Sequence, residues 1–173
     1  MKQKYISQTA LIAAAMAFSL LVTGIFSAVQ TEKNLENSLV RLHILADSDS
    51  EEDQRLKLLV RDAVLGSSDE LFKPYSSSEE ATAALSEQLD KIKQIADDTL
   101  AANGSEDTVS CEICVMTFDR RIYNDFAVPA GNYTALRIKI GSGEGHNWWC
   151  VMYPPLCVPC AGAALTDEEI MEK

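Results

Sequence analysis

The feature that most constrains this chain is an uncharged stretch from Thr9 to Gln30. Lys2 and Lys4 precede it, and most of its residues are Ala, Leu, Ile, Val, Phe or Met. A basic start followed by an apolar run is typical of an export signal. A run of ~20 apolar residues is also long enough to cross a bilayer. Residues 1–30 are therefore predicted to be a signal peptide or an N-terminal membrane anchor, with the rest of the chain across the membrane from the two lysines.

The remainder has the composition of one soluble domain. The 173-residue chain carries 15 basic and 26 acidic side chains, a net charge of −11. Such an excess of carboxylates repels a phosphate backbone, so no nucleic-acid partner is expected, and the membrane is expected to be contacted only through the N-terminal segment. Residues 31–38 are polar without a period and are predicted to be a linker. Residues 39–160 form the predicted domain, and 161–173 form a short acidic tail.

The first half of this domain is predicted to contain one strand and two helices. Residues 40–46 alternate apolar and polar side chains and then become apolar, which favours a partly buried strand. Ser48 and Glu51 have the spacing of a capping box, so a helix is expected to begin there. A longer helix is predicted to begin within 76–80 and to end at Asn103-Gly104. The predicted core stripes are Leu56, Leu59, Val60, Ala63 and Val64 in the first helix, and Leu85, Leu89, Ile92, Ala96 and Leu100 in the second.

The second half is rich in β-branched and aromatic residues, which favour strands. Turn-forming residues divide it into predicted strands at 109–118, 121–128, 133–140 and 148–153. The predicted fold class is therefore α+β: one strand and two helices followed by an antiparallel sheet, with the helices on one face.

The five cysteines allow several hypotheses. Cys150 and Cys157 flank two prolines that turn the chain and could bring the sulfurs within bridging distance. Cys111 with Cys114, and Cys157 with Cys160, have the spacing of a four-cysteine zinc site. Against this, residues three apart on a strand point to opposite faces. The second pair also has the spacing of a thiol oxidoreductase, without the expected βαβ context. No metal or cofactor is predicted, and an exported thiol-redox or metal-binding protein using Cys157 and Cys160 is the alternative hypothesis.

The sequence contains no recognisable catalytic set. Neither H-E-x-x-H nor G-x-S-x-G occurs, and the two histidines are His43 and His146. The glycines of 141–145 precede a strand-like segment rather than a helix, so they lack the helix terminus of a dinucleotide loop. A hydrolase that uses Arg41, His43 and Asp49 is a third hypothesis. The chain is predicted not to be an enzyme.

Asn147-Trp148-Trp149 is the most informative short motif. Adjacent indoles on a strand face opposite ways, so one can enter the core while the other must be covered or stand exposed. An exposed Trp close to Pro154 and Pro155 would suit an interface anchor. Two layers of packing within the domain are the alternative.

Three groups of segments are distinctive as a set. They are Arg41–Asp49 with Asp53-Gln54, Lys57 and Val60–Val64; Tyr123–Phe126 with Pro129–Gly131, Tyr133 and Ala135–Arg137; and Gly141–Gly145 with Asn147–Cys150 and Pro154–Cys157. Together they resemble the stage II sporulation protein R family, over about Leu39 to Cys157. The last motif is long and unusual, which makes chance a poor explanation.

The resemblance implies an exported developmental signal. Such a protein is made in the forespore and secreted into the space between the two membranes. There it activates a membrane-embedded aspartic protease of the mother cell that processes the precursor of sigma factor E. The family carries no established catalytic centre, so no active-site residue is implied. The candidate protease contacts are Asn147, Trp148, Trp149, Pro154 and Pro155, then Arg41 and Asp49, and the expected disulfide joins Cys150 to Cys157.

Overall fold

The computed structural model describes residues 2–67, 75–123 and 126–154. The chain divides into two compact units, residues 1–35 and 36–173. Helix α1 (Lys2–Ser38) makes up the described part of the first unit and continues into the second. Residues 31–38, predicted to be a linker, are helical, and the boundary between the units falls among them. Across the described ranges, no helix combines the length and the hydropathy that a membrane crossing requires.

The second unit places its three further described helices between the first and second strands. The bounds of its helices and strands are β1 (Val40–Leu45), α2 (Glu51–Gly66), α3 (Ser78–Glu87), α4 (Leu89–Ala102), β2 (Val109–Phe118), β3 (Arg121–Tyr123), β4 (Phe126–Val128), β5 (Gly131–Ile140) and β6 (Asn147–Tyr153). The first predicted helix stripe corresponds to α2, and the second is shared by α3 and α4.

Four of the strands form one sheet in the order β2-β5-β1-β6, and β3 and β4 form a separate two-stranded hairpin. The α+β class is confirmed. The sheet, expected to be antiparallel, is mixed because the first strand joins it: β1 lies between β5 and β6 and pairs parallel with β5. A parallel pair requires a long crossover connection, and here the helices between β1 and β2 belong to that connection.

The main core lies between the helices and one face of this sheet. Most of the predicted helix stripe is buried there, while Leu59, Ala63 and Leu89 are only partly buried. Alternate residues of each strand face the helices, and their neighbours form the opposite face. The buried side chains on the helix-covered face of the sheet are Val40, Leu42, Ile44, Val109, Leu136, Ile138, Ile140, Trp148, Cys150 and Met152.

Serine caps begin two helices, although one lies two residues from its predicted position. The N-cap of α2 is Ser50, whose hydroxyl accepts from the amide of Asp53 at 3.1 Å. Ser48 instead hydrogen-bonds the Asp53 carboxylate through its hydroxyl. Ser77 caps α3. The single long helix expected after it is divided at Gln88 into α3 and α4.

Candidate functional site

Two loops interlock at the carboxyl end of the central strand β1. We call residues 46–50 and 141–146 together the loop clasp. Ser142 donates its backbone amide to Oδ1 of Asp47 at 2.5 Å and its hydroxyl to the Asp47 carbonyl oxygen at 2.8 Å. The amide of Gly145 donates to a carbonyl oxygen of the first loop at 3.0 Å. The bonds from Ser142 lower the pKa of the Asp47 carboxyl group, because they stabilise its ionised form.

Glycine is required in the clasp for two reasons. A Cβ atom at Gly145 would lie 2.2 Å from the carbonyl oxygen of Ser48, far inside van der Waals contact. Gly141 has a φ of +53°, in the left-handed region that side chains disfavour. The glycine-rich motif therefore serves close backbone approach between loops.

Asp49 and Lys57 are also engaged at the clasp. Oδ1 of Asp49 accepts from the backbone amide of His146 at 2.6 Å and lies 2.5 Å from Nδ1 of its imidazole. These bonds lower the pKa of Asp49. The buried Lys57 ammonium donates to Gln54 Oε1 at 2.6 Å and to the His146 carbonyl oxygen at 3.2 Å. Asp49 and Lys57, which both belong to the distinctive sequence segments, therefore make hydrogen bonds within the domain.

The two adjacent tryptophans lie on opposite faces of the sheet. Trp148 faces the helices, is 6% exposed, and has the Arg61 guanidinium carbon 4.2 Å from its ring centroid. Trp149 is half-buried and points to the opposite face, which we call the helix-free face because none of the described helices α2, α3 and α4 packs on it. The structure therefore separates two residues that were predicted to contact a partner together, and Trp148 packs inside the domain.

Trp149 belongs to an aromatic cluster on the helix-free face. Its ring stacks on His43 with centroids 4.1 Å apart and planes 12° from parallel. Phe118 meets it edge-on at 4.7 Å, and the Arg121 guanidinium lies 5.7 Å from its centroid. We call this cluster the Trp149 face. It comprises Arg41, His43, Phe118, Tyr133, Arg137, Asn147 and Trp149. Arg137, Asn147 and Trp149 are its partly exposed members, and the others are buried.

Arg41 lies at the base of the Trp149 face. Its side chain is fully buried, and the guanidinium carbon is 4.2 Å from the Phe118 ring centroid and 5.4 Å from that of Tyr133. Cation–π contacts of this kind are stronger when the cation is desolvated. Arg41, which was predicted to contact a partner, is buried and packs against the rings of the aromatic cluster.

His43 is a buried imidazole, only 4% exposed. Burial lowers its pKa, and the positive charges of Arg137 and Arg41 act in the same direction, whereas the Asn147 side chain raises it. Among the described residues, neither ring nitrogen has a partner with full hydrogen-bond geometry. The neutral form of the ring is therefore the favoured one.

Three of the five cysteines lie within the described residues: Cys150 is buried, and Cys111 and Cys114 are partly buried. Cys111 and Cys114 are free thiols. Burial raises the pKa of Cys111 to about 12 and also raises that of Cys114, which disfavours the reactive thiolate. Cys150 is disulfide-bonded, whereas Cys157 and Cys160 lie outside the described residues, so the pairing of Cys150 with Cys157 stays a prediction.

Two further expectations concern proline and metal. Pro154 is exposed directly after β6, and Pro155 lies outside the described residues. Over residues 2–67, 75–123 and 126–154, no group of three or more His, Cys, Asp or Glu side chains could hold a metal ion.

Of the predicted contacts, the structure brings Arg41, Asn147 and Trp149 to the Trp149 face. It places Asp49 in the loop clasp and Trp148 in the core. The sequence did not predict that Phe118 and Tyr133 belong to the Trp149 face, because this depends on the order of the strands in the sheet. The two-residue period of each strand would place both aromatic residues on that face once the strand order is known.

These features define an α+β domain whose sheet has one helix-covered and one aromatic face, and whose distinctive motifs hold two loops together at one end. The profile described as Stage II sporulation protein R (spore_II_R) matches residues 36–161, so the chain belongs to that family of sporulation proteins. This confirms the resemblance seen in the sequence.

A curated relative shows the same relationship. The chain is 40% identical over 123 residues to Stage II sporulation protein R of Bacillus subtilis (strain 168), covering 71% of this chain and 55% of the relative. The chain thus spans about half the length of that relative. No solved structure matches the chain significantly.

Proposed function

We propose that this protein is an exported sporulation signal that activates the membrane-embedded aspartic protease of the mother cell, the enzyme that processes the sigma-E precursor. Membership of the stage II sporulation protein R family supports a role in sporulation. The uncharged segment from Thr9 to Gln30 supports export from the forespore into the intermembrane space, with that segment either removed or kept as an anchor.

The observation that carries the proposal is the half-buried Trp149 on the helix-free face. Tryptophan is enriched among the residues that dominate binding energy, because its large ring removes much apolar area from water. Stacking on His43 and the edge-on contact with Phe118 hold the ring before a partner arrives. A side chain held in this way loses little conformational entropy on binding.

Charge around Trp149 favours a partner with acceptor groups. The positive charge is that of the Arg121 guanidinium, which lies over the ring, whereas Arg137 on the same face is paired with Glu112, its Nε 2.7 Å from Oε1. Arginine beside an aromatic anchor is a common composition at the centre of protein interfaces. The proposed contact surface is therefore Trp149 with its arginine neighbours, supported from below by buried Arg41.

The proposed activity requires no covalent chemistry from this chain. A protein ligand shifts an enzyme toward its active state when it binds that state more tightly than the inactive one. In this proposal the Trp149 face supplies that differential affinity, and the protease supplies the catalytic residues.

The test is Trp149→Ala in sporulating cells, with sigma-E precursor processing followed over time. Removal of a central interface tryptophan typically weakens binding by roughly 2 kcal/mol or more, so processing is expected to slow at least severalfold. Trp149→Phe is expected to retain part of the rate, because it keeps an aromatic ring against His43.

Gln94→Ala is the matched control, since Gln94 is exposed on α4, which packs on the opposite side of the sheet. Immunoblots must show that all variants accumulate to the same level. Normal processing by Trp149→Ala at a normal protein level would remove the Trp149 face from the proposal. Purified chain added to membranes that contain the protease and its precursor tests activation itself, whichever surface makes the contact.

A further inference from the structure

The outer edge of β2 is unpaired within the described residues. β2 lies at one end of the sheet order and pairs with β5 along all ten of its residues, Val109 to Phe118, without a shift in register. At ~3.4 Å per residue this edge is roughly 34 Å long. The backbone amide and carbonyl groups on the outer side of such a strand form a template for another strand.

Natural edge strands usually carry features that prevent such pairing, including lysine, proline and bulges. The opposite edge has them: β6 pairs with β1 through an irregular register between Val40 and Arg41, and Pro154 follows it directly. β2 has no lysine, proline or bulge. Its single charge, Glu112, is neutralised by Arg137 of β5. The β2 edge is therefore open to pairing, whereas the β6 edge is protected.

The exposed side chains of β2 also favour pairing with a second strand at this edge. Val115 is 70% exposed, and within the second unit's described residues it is the most exposed of the large hydrophobic side chains. Ser110, Glu112 and Thr117 are also exposed. An exposed valine in the middle of a regular edge strand gains stability if an apolar side chain of a second strand covers it.

The charges that flank β2 indicate what that second strand is. Glu106 and Asp107 precede the strand, and Arg120 and Arg121 follow it, after Asp119. Two copies of β2 in antiparallel orientation place the acidic flank of one beside the basic flank of the other. Two-fold symmetry repeats this contact at both ends. Although the chain as a whole is strongly acidic, its β2 edge is thus electrostatically complementary to itself.

We propose that this protein forms a homodimer in which the β2 strands of two copies pair antiparallel, joining two four-stranded sheets into one of eight strands. One register of this pairing gives the most favourable contacts between side chains of the two copies. With Cys114 opposite Cys114 of the second copy, Val115 lies opposite Ile113, within the ten paired residues of β2. In that register the flank with Glu106 lies beside the flank with Arg120 of the second copy, within reach of long side chains. The homodimer requires neither Trp149 nor the protease, although Arg121 of the basic flank also lies over the Trp149 ring.

The first experiment is sedimentation equilibrium of the full chain in a density-matched non-ionic detergent, over roughly micromolar concentrations suited to a small interface. Val115→Lys places two ammonium groups next to the symmetry axis and is expected to raise the dimer dissociation constant at least about tenfold. Ala101→Lys is the matched control, since it adds the same charge at an exposed position on α4. Because Val115 is mostly exposed, the variant monomer should fold normally, and circular dichroism checks this.

The second experiment exchanges the flanking charges. Glu106→Arg and Arg120→Glu each introduce like-charge contacts at both ends of the interface and are expected to weaken the dimer roughly threefold to tenfold. The double variant restores opposite charges and is expected to recover the wild-type dissociation constant. A general effect of net charge cannot produce that recovery.

The third experiment tests the register. Oxidised glutathione accepts the two electrons and two protons released when the two Cys114 thiols join, and becomes two glutathione thiols. A dimer band on a non-reducing gel is expected from wild type and from Cys111→Ser, and is expected to disappear in Cys114→Ser. A monomeric wild type, or a dimer that Val115→Lys leaves unchanged, would overturn the homodimer. A band that survives Cys114→Ser would overturn the register.

Discussion

Asp49 and His146 are joined twice across the loop clasp: Oδ1 of Asp49 accepts the His146 backbone amide at 2.6 Å and lies 2.5 Å from Nδ1 of its imidazole. The two residues are 97 positions apart, so the pair joins the connection after β1 to the loop before β6. Both hydrogen bonds favour the ionised carboxylate and lower the pKa of Asp49.

This pairing predicts a loss of stability in acid. The pKa of Asp49 is lower in the folded state than its ordinary value of 3.8, so ionised Asp49 stabilises the fold above that value. The contribution is expected to disappear as the pH falls through the lowered folded pKa. Asp49→Asn should therefore reduce the pH dependence of the free energy of unfolding, measured by urea titration between about pH 6 and pH 3. Glu87→Gln, at an exposed position on α3, is the control and should leave the dependence unchanged.

The close approach at Gly145 predicts a stability loss from a single methyl group. Gly145→Ala places Cβ 2.2 Å from the Ser48 carbonyl oxygen, so one loop must move. Overpacking of this kind costs about 1–3 kcal/mol. Gly66→Ala is the matched control, because nothing lies within 4 Å of a Cβ at that position. Urea unfolding of both variants checks the difference, and equal stability would show that the clasp tolerates the added carbon.

Local patterns predicted most elements of this fold. Residues 109–118 form β2 with the bounds that the sequence indicates, and Leu56, Val60 and Val64 are buried at helical spacing. A two-residue or 3.6-residue period is a property of neighbouring residues, so it can be read before any tertiary contact is known.

Features that depend on distant residues were not predictable in this way. The position of β1 between β5 and β6 is set by pairing across about a hundred residues. Lys57 is fully buried, and one of the hydrogen bonds from its ammonium group goes to the carbonyl oxygen of His146, 89 residues away. The division at Gln88 involves neither glycine nor proline, so no local signal marks it.

In the candidate site, too, local patterns predicted some features, and others depend on distant residues. Strand alternation predicts that Trp148 and Trp149 face opposite ways. Which of them faces the helices depends on where α2 places Arg61, and the sequence pattern does not contain that information.

Buried His43 predicts a second pH dependence, at higher pH. Its pKa is lowered from 6.5 in the folded state, so the unfolded chain takes up a proton there more readily than the folded chain does. The contribution of His43 to the free energy of unfolding is expected to be fully present above about pH 6.5 and to fall as the pH decreases toward the lowered pKa of the folded state. His43→Phe should remove this slope between about pH 7.5 and pH 5.5, where an ordinary histidine titrates. Gln94→Ala, at an exposed position on α4, should keep it.

Replacement of Trp148 by Ala is predicted to lower the free energy of unfolding more than replacement of Trp149 does. Trp148 is buried against the Arg61 guanidinium and belongs to the main core. Trp148→Ala is expected to lower the free energy of unfolding by about 3–5 kcal/mol, the usual range for a buried tryptophan. Trp149→Ala should cost less, because its side chain is only partly buried. Urea titration followed by circular dichroism measures both without using the indole signal.

The outcome bears directly on how the Trp149 variants in sporulating cells are interpreted. A well-folded Trp149→Ala protein that fails to support processing identifies a contact residue, because its fold is intact. A Trp148→Ala protein that fails does so through unfolding and a lowered protein level. If Trp149→Ala unfolds as readily as Trp148→Ala, the helix-free face is a second core, and its aromatic cluster stabilises the domain instead of meeting a partner.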